Sequence, residues 1–542
     1  MAENSPRAPV EDEEIKSSPD VNNVAMKIQR AGEVYKAYAG TELKPTKDEI
    51  WMWCLYGLCS YFIHTVLIPI IFPLIVSQTV DMPPEPKLGW LKSLKNLECS
   101  ENRVQLYQRL VYQSIFEGKS KDLSPLGWTS ISWAIGLVLV TPAMGLVSVH
   151  LDYGKNQQLI AGAATAVGGL FCLPAGFFKT WWIFPPYIAA IVAAYTVSTS
   201  FHARYFGLML RGFVASPMKK SQFPDRKSVA GWLSLYSTAA GCLGSGLISA
   251  FTYHMLRKSD HFTSLWVVSI FSGLFWFIGM SHIFTTTRPG VNSNSPSDSV
   301  PKGHVMSIFN YPHAAGSLAA VFLSSFTTMC IFTGAVLYAL GALCLEPVHM
   351  LYTWLTYFLF PLLSLPLAHP LARLIKADAV KMQLLGFVLS TITSGFGFYY
   401  RHSIWNKHHI MGFAAIQSTG TGLLHAFSRV LLLDCSPAGK EGAFSVWFSW
   451  VRSVGACAGF AFASAYPANN TKTFALAFCA AVAGMISLVF GNISNSGGAK
   501  AAGHIKEQHS ENSLSIQELD YSNSAERGTV FVEATPENKL EV

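Results

Sequence analysis

Charge is scarce in this sequence. Only 13% of its 542 residues are Asp, Glu, Lys or Arg, against ~25% in a soluble domain. No Asp or Glu stands in the middle of any long apolar stretch, which argues against a carboxylate sodium site and weakens any carboxylate proton relay. No CxxC pair occurs among the ten cysteines, so no zinc module is expected. Eight of them (Cys54, Cys59, Cys172, Cys242, Cys330, Cys344, Cys457, Cys479) fall in apolar stretches, where a small buried thiol is ordinary. Cys99 stands alone in its loop, and no disulfide framework is expected. A basic stripe interleaved with aromatics is missing and the net charge is a modest +7, which excludes a nucleic-acid partner. So are a filter-like repeated loop and a run of evenly spaced arginines, the marks of channels and voltage sensors. His402, His408 and His409 lack the repeated H-x-x-x-H spacing of a di-iron enzyme. No catalytic group, metal or cofactor is expected. The first 48 residues lack the apolar h-region of a cleavable signal, and the acids Glu11–Glu14 are foreign to a transit peptide; the first span is expected to act as the targeting signal.

What the chain has in abundance is apolar sequence, 51% of all residues. From Trp51 to Ile493 it forms about a dozen stretches of bilayer-crossing length, one crossing needing ~20 residues. Several are apolar all round, as lipid-facing helices must be. The expected fold is therefore an all-α integral membrane protein of about twelve spans in two pseudo-symmetric six-helix bundles. The division is a tail 1–48, a first bundle 49–286 with a long loop 81–127, a linker 287–314, a second bundle 315–493 and a disordered tail 494–542. Short loops on the linker side carry the excess of Lys and Arg, which places both termini in the cytosol. The sequon at Asn469 then lies outside the cytosol and is a glycosylation candidate, whereas the one at Asn492 lies at a cytosolic edge.

An internal repeat supports the halves. Trp232-Leu-Ser234 opens the fifth span and Trp447-Phe-Ser449 the eleventh; at the same offset Cys242 falls on Cys457 and Gly244 on Gly459. Duplication with a site between the halves is how many carriers are built. Arg452 is the candidate for such a site: it stands mid-span, where insertion costs ~2.5–3.5 kcal/mol, and a fixed cation suits an anionic group. His64, central in the first span, is the candidate proton-coupling group. Gln417 and His425, eight residues apart in the tenth span, share a face and are candidates for substrate contact.

The segment Thr141-Pro-Ala-Met-Gly145 through His150, Asp152 and Lys155 resembles the signature between the second and third helices of the major facilitator superfamily. The resemblance implies a gate in which Gly145 packs helices while Asp152 and Lys155 pair charges. Gly145 and Asp152 are further apart than that pattern expects, and Lys155 alone remains of the basic cluster. The equivalent place in the second half, Pro366 to Lys376, offers Arg373 as a gating cation. Within the superfamily, Glu49-Ile-Trp51 through Gly57, Pro69 and Phe72-Pro73, and then Asp225 to Gly231, resemble the autophagy-linked vacuolar effluxers. That likeness implies amino-acid export from a vacuole. The expectation is a non-enzymatic secondary transporter in the vacuolar or plasma membrane, moving a small polar solute by alternating access. A lipid transporter or scramblase is the alternative, and a membrane acyltransferase a more distant one.

Overall fold

The structure is a computed structural model that describes residues 43–115, 123–154, 156–213, 223–258, 261–286, 288, 303–311, 313–403, 405–433, 436–437, 439–491 and 493. Lys155, Asn492, nearly all of both tails and most of the linker lie outside these residues.

Thirteen helices matter for the argument among the described residues. The first span, α1, runs Lys47–Ser77. Thr46 starts it with a reciprocal capping box: its hydroxyl accepts from the Glu49 N–H at 3.2 Å, and the Glu49 carboxylate accepts from the Thr46 N–H at 3.3 Å. Its middle, Ile63–Ile71, is wound as a π-helix containing Pro69. Proline has no N–H to give to the turn before it, and the wider winding accommodates the break. A short amphipathic helix, α2 (Glu101–Val111), lies in the long loop. There follow α3 (Pro125–Tyr153), α4 (Gln157–Cys172), α5 (Phe184–Phe213), α6 (Phe223–Lys258) and α7 (His261–Gly279). The rest are α8 (Ala314–Gly341), α9 (Pro347–Leu374), α10 (Ala379–Tyr399), α11 (Lys407–Leu433), α12 (Glu441–Ala465) and α13 (Asn470–Phe490). Ten of these segments are long and apolar enough to cross a membrane; α6 and α11 are as long but more polar. Many hydroxyls inside the spans are tied to their own helix, as in Thr129 and Ser130, each 2.9 Å from the carbonyl four residues back. That is how an apolar helix carries Ser and Thr at low cost.

The packing repeats itself. In the first half α1 lies against α6 and α7, α4 against α5 and α7, and α3 against α5. In the second half α8 lies against α12 and α13, α10 against α11 and α13, and α9 against α11. Each contact has its counterpart, and the halves meet along α3–α12 and α6–α9. The paired glycines explain the closeness of two of these contacts. A Cβ on Gly244 would collide with the Leu58 carbonyl of α1, and one on Gly459 with the Phe326 carbonyl of α8. Small residues at such places let backbones approach. The architecture is all-α among the described residues, two matching halves of bilayer-length helices.

One expectation is overturned. Cys99 is not alone: it forms a disulfide with Cys344, 245 residues away. Cys344 lies beyond the end of α8 with a left-handed φ of 47°, outside any span. The loop around Cys99 is docked on the second half. Leu94 N–H donates to the Gly341 carbonyl at 3.0 Å, and Arg103 Nη1 to the Cys344 carbonyl at 2.7 Å. The Tyr107 hydroxyl donates to the Pro467 carbonyl at 3.2 Å.

Candidate substrate cavity and gate

The centre of the molecule is built from both halves. A small cavity of about 50 Å³ is lined by Tyr61, His64 and Thr65 of α1, Ser324, Ser325 and Phe332 of α8, Tyr357 of α9, His425 and Ser428 of α11, and Arg452 of α12. Arg452 is 8% exposed, and Nη2 bonds His64 Nε2. Its guanidinium stands 5.7 Å from the centre of the Tyr61 ring, a cation–π distance. A guanidinium has hydrogens and no acceptor, so Nε2 of His64 must be the acceptor. The ring is then neutral with its proton on Nδ1, which reaches the Tyr195 hydroxyl at 2.7 Å. Placing a second proton on Nε2 would set N–H against N–H and break the link to Arg452.

A second cation adjoins the first. Arg429 of α11 is buried; Nε donates to the Ser234 hydroxyl at 3.0 Å, and Nη2 to the Ser234 carbonyl and the Thr238 hydroxyl at 3.2 and 3.1 Å. It lies over the rings of Trp53 and Phe206 at 5.1 and 5.7 Å. Arg429 and Arg452 line one further small cavity, together with Tyr61, Tyr195, His202 and His425. No acidic residue lines either cavity, and among the described residues no carboxylate pairs with either arginine. The elements bearing them carry the charge at this depth because they face protein and cavity rather than lipid.

At the linker end of the molecule the halves are tied by acids. Asp152, at the end of α3, is fully buried. Its carboxylate accepts from the Gly442 and Ala443 N–H groups at 2.6 and 3.2 Å, at the start of α12. An anion there also complements the helix dipole. His304, in the short turn 304–310 of the linker, bonds the same carboxylate at 2.7 Å, and Arg204 lies 3.8 Å away. Arg211 of α5 pairs with Glu441 of α12, and Arg288 pairs with Glu49 at 2.6 Å.

The residues expected from sequence thus divide. Arg452, His64 and His425 come together in the cavity. Gln417 does not line it: its amide bonds Thr393, Ser390 and Thr421, all within the second half. Asp152 stands in the tie between the halves, and Arg373 Nε reaches across them to Ser228 at 2.8 Å. Gly145 packs against nothing: a Cβ there would meet no atom within 4 Å. Asn469 is exposed and caps α13, accepting from the Lys472 N–H at 3.2 Å. Sequence reasoning missed Arg429, Glu441 and His304. The only signal for Arg429 was an arginine inside the polar tenth span.

No family model matches the chain, and no curated protein does. Among solved structures it is similar to the human organic anion transporter MFSD10 (TETRAN), with a TM-score of 0.51 and 13% identity, over 82% of this chain and all of that one. At that identity the likeness speaks for the fold alone: a multi-pass helical membrane protein of the major facilitator type.

Proposed function

We propose that this protein is a secondary carrier that moves a small anionic solute by alternating exposure of the central cavity. One observation carries the reading: Arg452 faces a cavity lined by both halves, and among the described residues no carboxylate neutralises it. A buried charge without a partner costs several kcal/mol, and a bound anion would remove that cost. His64 gives the coupling. When it takes a proton, its bond to Arg452 is lost and the freed guanidinium meets the anion, so proton and solute favour each other and travel together. The ties made by Asp152, Glu441 and Arg373 would hold the linker end shut and part when the halves rock, with 49–286 and 315–493 as the moving bodies. Lys155 belongs to the same gate by sequence position.

Both termini are assigned to the cytosol. The basic bias supports this, and so does the Cys99–Cys344 disulfide at the opposite end, since disulfides persist on the oxidising side. Asn469 would be glycosylated there. The membrane is vacuolar or plasma membrane. The solute class follows from charge. An amino acid would satisfy Arg452 with its carboxylate but would leave its ammonium only hydroxyls and imidazoles, which favours net anions over zwitterions. The structural neighbour MFSD10 is itself an organic anion transporter, which agrees with that preference.

The test is uptake into proteoliposomes from a panel of carboxylates, sulfonates and amino acids. Wild type is expected to show saturable uptake of anions. Arg452→Ala should insert normally and lose at least ~30-fold in kcat/KM, as expected for removal of a desolvated charge partner worth ~2–5 kcal/mol. Wild-type kinetics in that variant would refute the role.

A further inference from the structure

The central cavity is too small for a solute. Its volume of about 50 Å³ has room for little more than water. The space lies beside it. A cavity of about 560 Å³ opens toward the loop end, between the halves and beneath α2. That volume falls within the ~300–1,000 Å³ typical of ligand sites. Its walls are mostly apolar, with Leu106 and Leu110 of α2, Leu340 of α8 and Trp354 of α9, and Arg103, Arg257, His261 and Glu346 also line it. Phe332 lines both this vestibule and the Arg452 cavity, so the two adjoin at one side chain.

A pathway for small hydrophilic ions gains nothing from apolar walls, because such an ion must shed water there without compensation. The arrangement instead matches a molecule with two ends. We propose that the solute is an amphipathic organic anion, whose charged head pairs with Arg452 while an aliphatic or aromatic body occupies the vestibule. This rests on the anion-carrier reading and adds the chemistry of the other end of the solute. Each methylene buried in such a wall gains about fourfold in affinity, so the body governs selectivity while the head governs recognition.

The experiment compares methanesulfonate with 1-naphthalenesulfonate in full-length protein reconstituted in liposomes. Both remain charged at working pH, so neither leaks through lipid as a neutral acid. The expected kcat/KM for naphthalenesulfonate exceeds that for methanesulfonate by at least ~100-fold, the equivalent of roughly three to four buried methylenes. Leu106→Trp, on the loop helix outside the spans, and Leu340→Trp should each fill the vestibule and cut that ratio at least tenfold. Two variants on different elements guard against one failing to insert. Comparable handling of the two sulfonates, with both depending on Arg452, would overturn the two-ended solute and leave the anion carrier standing; a vestibule filled by lipid tails gives this result. A ratio unchanged in both inserted Trp variants overturns it equally. Uptake of neither anion, or uptake indifferent to Arg452→Ala, would sink the carrier reading and this inference together.

Discussion

Neutral His64 and cationic Arg452 are joined by one hydrogen bond whose direction is dictated by chemistry, because only the imidazole can accept. His64→Gln separates the hydrogen bond that the ring makes from the proton coupling proposed for it. The glutamine carbonyl still accepts from Arg452, but it takes up no proton near neutral pH. Uptake driven by an imposed pH gradient should fall to the level seen without one, while exchange of labelled solute at equal pH on both sides persists. Gradient-driven uptake that survives in His64→Gln would place the coupling elsewhere. Both residues were visible in the sequence because an ionisable group mid-span is costly and so stands out. Their partnership was not, since 388 positions separate them. Gln417 stood out by the same rule, and Thr393 and Ser390 on the neighbouring helix satisfy its amide. Arg429 went unweighed although it lies in the same polar span, because its burial under Trp53 and Phe206 comes from elements distant in sequence.

Helices were legible as elements because bilayer-crossing length and apolarity need no knowledge of neighbours. The function of their glycines was only half legible. Gly244 and Gly459 were paired by repeat position, and each sits against a carbonyl of its neighbouring helix. Gly145 carries the superfamily resemblance but packs on nothing. The two kinds should answer alanine in opposite ways. Alanine at an open helical site gains up to ~1 kcal/mol in helix propensity, so Gly145→Ala should hold or raise the melting temperature of the detergent-purified protein. Gly459→Ala forces α8 and α12 apart, and overpacking of this kind costs ~1–3 kcal/mol, so its melting temperature should drop by several degrees. A Gly145→Ala protein that is as stable as wild type yet slower in uptake would show that the glycine serves movement rather than packing. An equal loss of stability in both variants would contradict the contacts described for α3.

At the scale of the whole molecule the disulfide sets a constraint on any rocking motion. The loop 81–127 belongs by sequence to the first half, but Cys99–Cys344 and the bonds of Leu94, Arg103 and Tyr107 fasten it to the second. The described part of it must therefore ride with the second half as a strap over the vestibule. No spacing rule exposes a pair 245 residues apart, and Cys344 sits at the edge of an apolar run that hid it among buried thiols. The strap also reports orientation. In intact cells or vesicles with the termini sealed inside, a membrane-impermeant reductant followed by an impermeant maleimide should label Cys99 and Cys344 from the outside. Cys99→Ser paired with Cys344→Ser should remove that labelling. Closing so long a loop constrains the unfolded chain by several kcal/mol on the entropy account, with ~2–4 typical of measured disulfides. Reductant should accordingly lower the melting temperature of wild type to that of the double serine variant, and leave the variant itself unmoved. Labelling that appears only after the membrane is permeabilised would invert the assigned orientation. A melting temperature insensitive to reductant would mean that the docked hydrogen bonds, and not the covalent link, hold the strap in place.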